Sequence, residues 1–95
     1  MIKVDKEELF YKINVEGAFD SFLAKDARET FATLAETIDR NIILELHNCD
    51  FVDSSGIGAL IFLHKRLRCK GFNISITNAS EQPYGLFKLL GLEKI

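Results

Sequence analysis

The 95-residue sequence sets 12 Lys and Arg against 14 Asp and Glu, a net charge of −2, and is 47% hydrophobic. That content supports one α/β-sized core spanning residues 1–95 and leaves no room for a second domain. The charges form no basic stripe, which argues against nucleic acid or an anionic membrane surface as a partner. Cys49 and Cys69 stand far apart, without a CxxC pair or histidines at ligand spacing, so they read as two reduced thiols with no metal role. The first eight residues lack an apolar signal core, and no segment is long enough to span a bilayer. The expected location is the cytoplasm.

Met1–Glu8 is charged and suggests only a weak edge strand. Leu9–Val15 alternates, with Leu9, Tyr11, Ile13 and Val15 on one side, and reads as a strand with one buried face. Glu16–Asp20 breaks that strand, Gly17 supplies the turn, and Asp20 is a good N-cap for a helix starting at Ser21. From Ser21 to Ile38, apolar Leu23, Ala27, Phe31, Leu34, Ala35 and Ile38 recur at threes and fours, as on an amphipathic helix with a solvated charged face. Ile42–Leu46 is a short apolar run of the kind expected in an interior strand covered on both faces. Glu45 is the exception and suggests that one face is open near that point.

Phe51-Val52 leads into Asp53-Ser54-Ser55-Gly56-Ile57-Gly58, the layout of a strand feeding a helix through a tight turn. The helix is expected from about Ser55 to Lys70, burying Ile57, Leu60, Ile61, Leu67, part of His64 and the stem of Arg68. Lys65, Arg66, Arg68 and Lys70 suit its C-terminal end, and Gly71 stops it. Phe72–Thr77 alternates as another strand. Asn78–Pro83 is a polar loop, and a short helix from Tyr84 to Leu90, with Pro83 in its first turn, ends at Gly91 before Leu92–Ile95.

Four readings of the serine turn can be weighed. A serine at a strand-to-helix turn is the placement of a hydrolytic nucleophile, but Gly-x-Ser-x-Gly is absent and neither His47 nor His64 is well placed to serve Ser55. The Walker lysine and dinucleotide glycine spacing are absent too, so the turn calls for no nucleotide or other cofactor. A purely structural turn would use Asp53 and Ser54 as caps and Gly56 and Gly58 for close packing. Against this stands an exposed Ser55 among small residues, accessible to a kinase. A phosphoryl group there adds about −1.5 to −2 charge beside Asp53, and a partner packed on the turn would not tolerate it.

Asp53-Ser54-Ser55-Gly56-Ile57-Gly58-Ala59-Leu60 resembles the signature of STAS domains, specifically the bacterial anti-sigma factor antagonist type. Gly17-Ala18-Phe19-Asp20, the approach from Ile42 to Phe51, Gly71-Phe72-Asn73-Ile74 and Leu86–Ile95 resemble the family's other motifs in the same order. The resemblance implies a single STAS-like domain, with a four-to-five-stranded mixed sheet and helices packed mainly on one side. It implies a non-enzymatic protein in which Ser55 is phosphorylated by a partner serine kinase of the GHKL type, often itself an anti-sigma factor. A PP2C-type phosphatase would restore the form that binds the partner. Asp20, Asp53, Ser54 and Gly56 would line the partner-facing patch, with Asn78 and Ser80 contributing from a neighbouring loop.

The sequence departs from the family at His47-Asn48-Cys49, where a small Ser-Gly-Val-like stretch is commoner, and partner specificity is expected to differ there. Many relatives continue beyond the position of Ile95, so a helix face is expected to be more exposed here, open to a partner or a second copy. Phe22 and Tyr84 are the candidates for that exposure, with ordinary semi-buried packing as the plainer account. The alternative function is a constitutive STAS subunit of a larger assembly, such as a lipid-transport ABC system, with no phospho-switch.

Overall fold

Period-two alternation builds the main sheet. In a computed structural model, which describes residues 1–89, β1 (Ile2–Lys6), β2 (Phe10–Val15), β4 (Asn41–Glu45) and β6 (Ile74–Thr77) lie in the order β1-β2-β4-β6. The β1–β2 pair is antiparallel, whereas β2–β4 and β4–β6 are parallel, which makes the sheet mixed. Register places Tyr11 beside Ile42 and Ile13 beside Leu44, and all four are buried. Lys12 beside Ile43 and Asn14 beside Glu45 occupy the other face, and these four are only half-buried.

Helices α1 (Ser21–Thr37) and α2 (Ser54–Cys69) complete the core on the buried face. The first contributes Ala24, Ala27, Phe31, Leu34 and Ala35, and the second Ile57, Ala59, Leu60, Leu63 and Leu67. α2 ends as its sequence predicts. Gly71 takes φ +82°, its N–H bonds to Arg68 O at 3.1 Å, and Phe72 N–H reaches Leu67 O at 2.9 Å. These paired bonds are the Schellman closure of a helix.

Several expectations need correction. Leu9 lies outside β2 and is exposed, because Glu7 N–H bonds to Phe10 O at 2.9 Å and leaves Leu9 in the β1–β2 hairpin connection. Residues Glu16–Asp20 do more than break a strand: Ala18–Phe19 forms β3, which pairs in parallel with β5 (Phe51–Val52) as a separate ribbon. β4 is interior but covered on one face, since Ile43 as well as Glu45 is only half-buried on the other. On α2 it is Leu63 that points inward, while Arg68 is exposed. The Schellman turn displaces Phe72, so β6 begins at Ile74.

Helix α3 (Glu81–Leu89) starts before Pro83 and not after it. Proline is tolerated there because a first-turn N–H has no intrahelical acceptor to lose. The expected final residue Leu90, the stop at Gly91 and the Leu92–Ile95 tail lie outside the described residues.

Candidate functional site

The two-stranded ribbon delivers two helix starts to one end of the molecule. Phe19 pairs with Val52, and one residue beyond each lies an aspartate: Asp20 heads α1 and Asp53 heads α2. Asp53 N–H bonds to Phe19 O at 3.2 Å, which ties the two starts together. Each aspartate is extended and accepts two backbone bonds through one carboxylate oxygen. Asp20 Oδ1 takes Phe22 N–H and Leu23 N–H, both at 3.1 Å. Asp53 Oδ1 takes Ser55 N–H at 2.8 Å and Gly56 N–H at 3.1 Å. Side-chain oxygens of this kind satisfy the unpaired donors of a helix start.

Gly56 is buried and sets how closely α2 approaches the ribbon. A Cβ there would fall 2.5 Å from Phe19 O and 2.9 Å from the Phe19 ring. Only a residue without a side chain fits this contact. The serines are placed differently from the expected arrangement: Ser54 is the exposed one, while Ser55, the second residue of α2, is half-buried. The capping work expected of Asp53 and Ser54 together falls to Asp53, because Ser54 is already the first residue of α2.

A residue that sequence reasoning missed holds the ribbon from its other side. Gln82 Oε1 accepts Val52 N–H at 2.8 Å, and Gln82 Nε2 donates to Val52 O at 3.0 Å. Its amide thus pairs with β5 as a neighbouring strand would. Ser80 Oγ donates to Cys49 O at 3.4 Å, and Asn78 Nδ2 donates to both Glu45 oxygens at 2.9 and 3.1 Å. Asn78 and Ser80 are therefore engaged upstream of the serine turn and brace the loop that precedes it. Three aromatic side chains remain exposed on these elements: Phe22 at 84%, Phe51 at 43% and Tyr84 at 45%. Phe22 and Tyr84 are the two that the sequence had marked for exposure.

Residues 1–95 match the family model described as the STAS domain. The chain belongs to the STAS domain family. This STAS chain is 28% identical over 94 residues to the anti-sigma-B factor antagonist of Bacillus subtilis, covering 99% of the chain and 85% of that relative. It is 24% identical over 94 residues to the anti-sigma-B factor antagonist of Staphylococcus aureus, covering 99% and 87%. Among solved structures it is similar to the anti-sigma factor antagonist SpoIIAA in its unphosphorylated form, with TM-score 0.87, 20% identity and 98% and 83% coverage. The phosphorylated form of Bacillus SpoIIAA gives TM-score 0.80 at 20% identity, covering 97% and 85%. At this identity the two structures speak for the fold.

The STAS fold also accounts for the ionisable groups around the site. Partial burial pushes the Glu45 carboxyl upward, but bonds from Asn78, Thr77 and the His47 N–H, with Lys12 nearby, outweigh it and lower its pKa. Burial pushes the Cys49 thiol up, and its Sγ donates to Phe51 O at 3.4 Å, so it behaves as a packed thiol rather than a reactive thiolate. His64 sits nine residues beyond Ser55 on the same helix, about 13 Å along the axis. It cannot act as a base for that serine. Its Nδ1 is buried without a partner, and burial, with Arg68, lowers its pKa. Among the described residues no group of three His, Cys, Asp or Glu could hold a metal ion, and no helix is long and apolar enough to cross a membrane.

Proposed function

We propose that this STAS domain is a cytoplasmic, non-enzymatic switch of the anti-sigma factor antagonist type, with Ser55 as its phosphoacceptor. The unmodified form binds a GHKL-type serine kinase that doubles as an anti-sigma factor, and phosphorylation releases it. A PP2C-type phosphatase resets the switch. The observation that carries this reading is the position of Ser55 as the second residue of α2, directly behind the Asp53 cap.

A phosphoryl group at that position adds about −1.5 to −2 charge. Within the domain the helix start offsets part of this charge, because its N–H groups and dipole favour an anion. A partner surface has no such compensation and would meet Asp20, Asp53 and the new phosphate together, with Ser54 and the exposed Phe22 and Phe51 beside them. The modification therefore weakens association while the fold persists. Gly56 contributes through backbone shape, and Asn78 and Ser80 by bracing the preceding loop.

The test is peptide mass spectrometry of the protein isolated from its own cells, before and after phosphatase treatment. The expected result is a phosphatase-sensitive phosphoryl group on Ser55 and not on Ser54. With the kinase in hand, Ser55→Ala should keep binding and block switching, and Ser55→Asp should weaken binding. A protein unmodified under every growth condition, or Ser55→Asp binding as tightly as the parent, overturns the switch and leaves a constitutive binding module.

A further inference from the structure

A second surface lies on the outer side of the helix pair. α1 and α2 start in register from the ribbon and pack side by side, and a furrow runs between their exposed faces. Near the serine turn it is a cavity of about 200 Å³ lined by Arg28, Gly58 and Phe62. Beyond Phe62 it opens into a cavity of about 390 Å³, floored by Ala32 and Ala35 and bounded by Arg66, Cys69 and Lys70. Phe62 lines both, so the two cavities form one trough. From Gly58 to Cys69 it extends about 16 Å, three helical turns.

Its charge is one-sided. The segment 54–70 carries Lys65, Arg66, Arg68 and Lys70 without a single Asp or Glu, in a chain whose net charge is −2. Of these, Arg66 and Lys70 line the trough, joined by Arg28 from α1. The Arg66 guanidinium stacks over the Phe62 ring at 5.1 Å. Arg28 lies across Gly58, within 3.4 Å of where a Cβ would stand, and Lys70 Nζ donates to Glu36 O at 3.0 Å on the opposite wall. Glu36 is the one carboxylate in the lining among the described residues.

We propose that this trough docks an acidic amphipathic helix of a protein partner. Its alanines and Phe62 accept the apolar face at helical spacing, and Arg28, Arg66 and Lys70 pair with flanking Glu or Asp side chains. A concave apolar floor suits a helix better than a lipid surface. The remainder of the chain, net acidic once these cations are set apart, would be repelled by an anionic bilayer. The surface works irrespective of what happens at Ser55.

The test is a heteronuclear NMR titration of the full chain with a capped amphipathic peptide of Glu, Leu and Ala, on the order of 18 residues long. Saturable shifts centred on Gly58, Phe62, Ala35 and Cys69, weakening as salt rises, are expected. Arg66→Glu with Lys70→Glu, both exposed positions, should lower affinity at least tenfold, and Ala32→Glu in the floor should do so independently. Ser55→Ala should leave the affinity unchanged, which separates this surface from the switch. The proposal fails if the peptide does not saturate, if replacing its Glu by Gln leaves affinity unchanged, or if the charge reversals have no effect. It also fails, in favour of a membrane, if phosphatidylglycerol vesicles give the same footprint and the peptide does not.

Discussion

Asp20 and Asp53 follow the paired residues Phe19 and Val52 of one parallel ribbon, and each caps a helix with a single carboxylate oxygen. The two caps are equivalent in geometry but not in what they hold. Asp53→Ala should destabilise the domain by about 1 kcal/mol, and Asp53→Asn by less, because an amide oxygen can still accept. Asp20→Ala should cost a similar amount. Amide hydrogen exchange discriminates between them: protection at Ser55 and Gly56 should fall only in Asp53→Ala, and protection at Phe22 and Leu23 only in Asp20→Ala.

Gly56→Ala should be far more damaging than glycine-to-alanine changes inside helices generally are. Alanine improves helix propensity by about 1 kcal/mol, but here its methyl group would collide with Phe19 O and the Phe19 ring. The net effect expected in urea denaturation is a loss of roughly 2 kcal/mol or more. Gly58→Ala is the matched control. Its Cβ meets only the flexible end of Arg28 at 3.4 Å, so stability should hold or rise.

Gln82→Ala leaves both backbone groups of Val52 without their side-chain partner. The expected loss is about 1 to 3 kcal/mol, with hydrogen exchange accelerated at Val52 in particular. Gln82→Glu should recover only part of this, because a carboxylate can accept from Val52 N–H but cannot donate to Val52 O. If Gln82→Glu matches the parent in stability and Val52 protection, the two-point pairing is refuted.

Glu45 makes a pH prediction whose sign is fixed by its lowered pKa. A carboxyl that is more acidic when folded contributes stability above its unfolded value, and that contribution disappears as pH falls through the folded value. Glu45→Gln should therefore be less stable than the parent at neutral pH, by about 1 kcal/mol. The gap should close as the pH drops below the ordinary carboxylate range. Denaturation of both proteins from pH 7 to pH 3 measures it.

How much of this was legible from the sequence depended on the range of the interaction. The alternation of Tyr11, Ile13 and Val15, the Asp20 cap and the Gly71 stop are local, and the structure agrees with each. Helix α1 followed its apolar period, with Ala24 as a further buried position beside Ala27 and Ala35. The β3–β5 ribbon has two residues per strand, too short for any periodicity, and only its long-range pairing defines it. Gln82 acts 30 residues away from Val52 and leaves no local trace. The close fit of Gly56 against Phe19 is another contact between distant segments, and the difference between exposed Ser54 and half-buried Ser55 is a tertiary feature too. The serine motif could be read, but not which hydroxyl faces outward.

The glutamine at the head of α3 also bears on how the molecule keeps to itself. A two-residue strand with a bare margin is a place where a foreign chain can add on, through the same N–H and C=O groups that pair sheets. Val52 has β3 on one margin and a side-chain amide on the other, so neither margin offers a template. Gln82 thereby closes the margin of β5 that β3 leaves free, and denies an incoming strand the N–H and C=O of Val52.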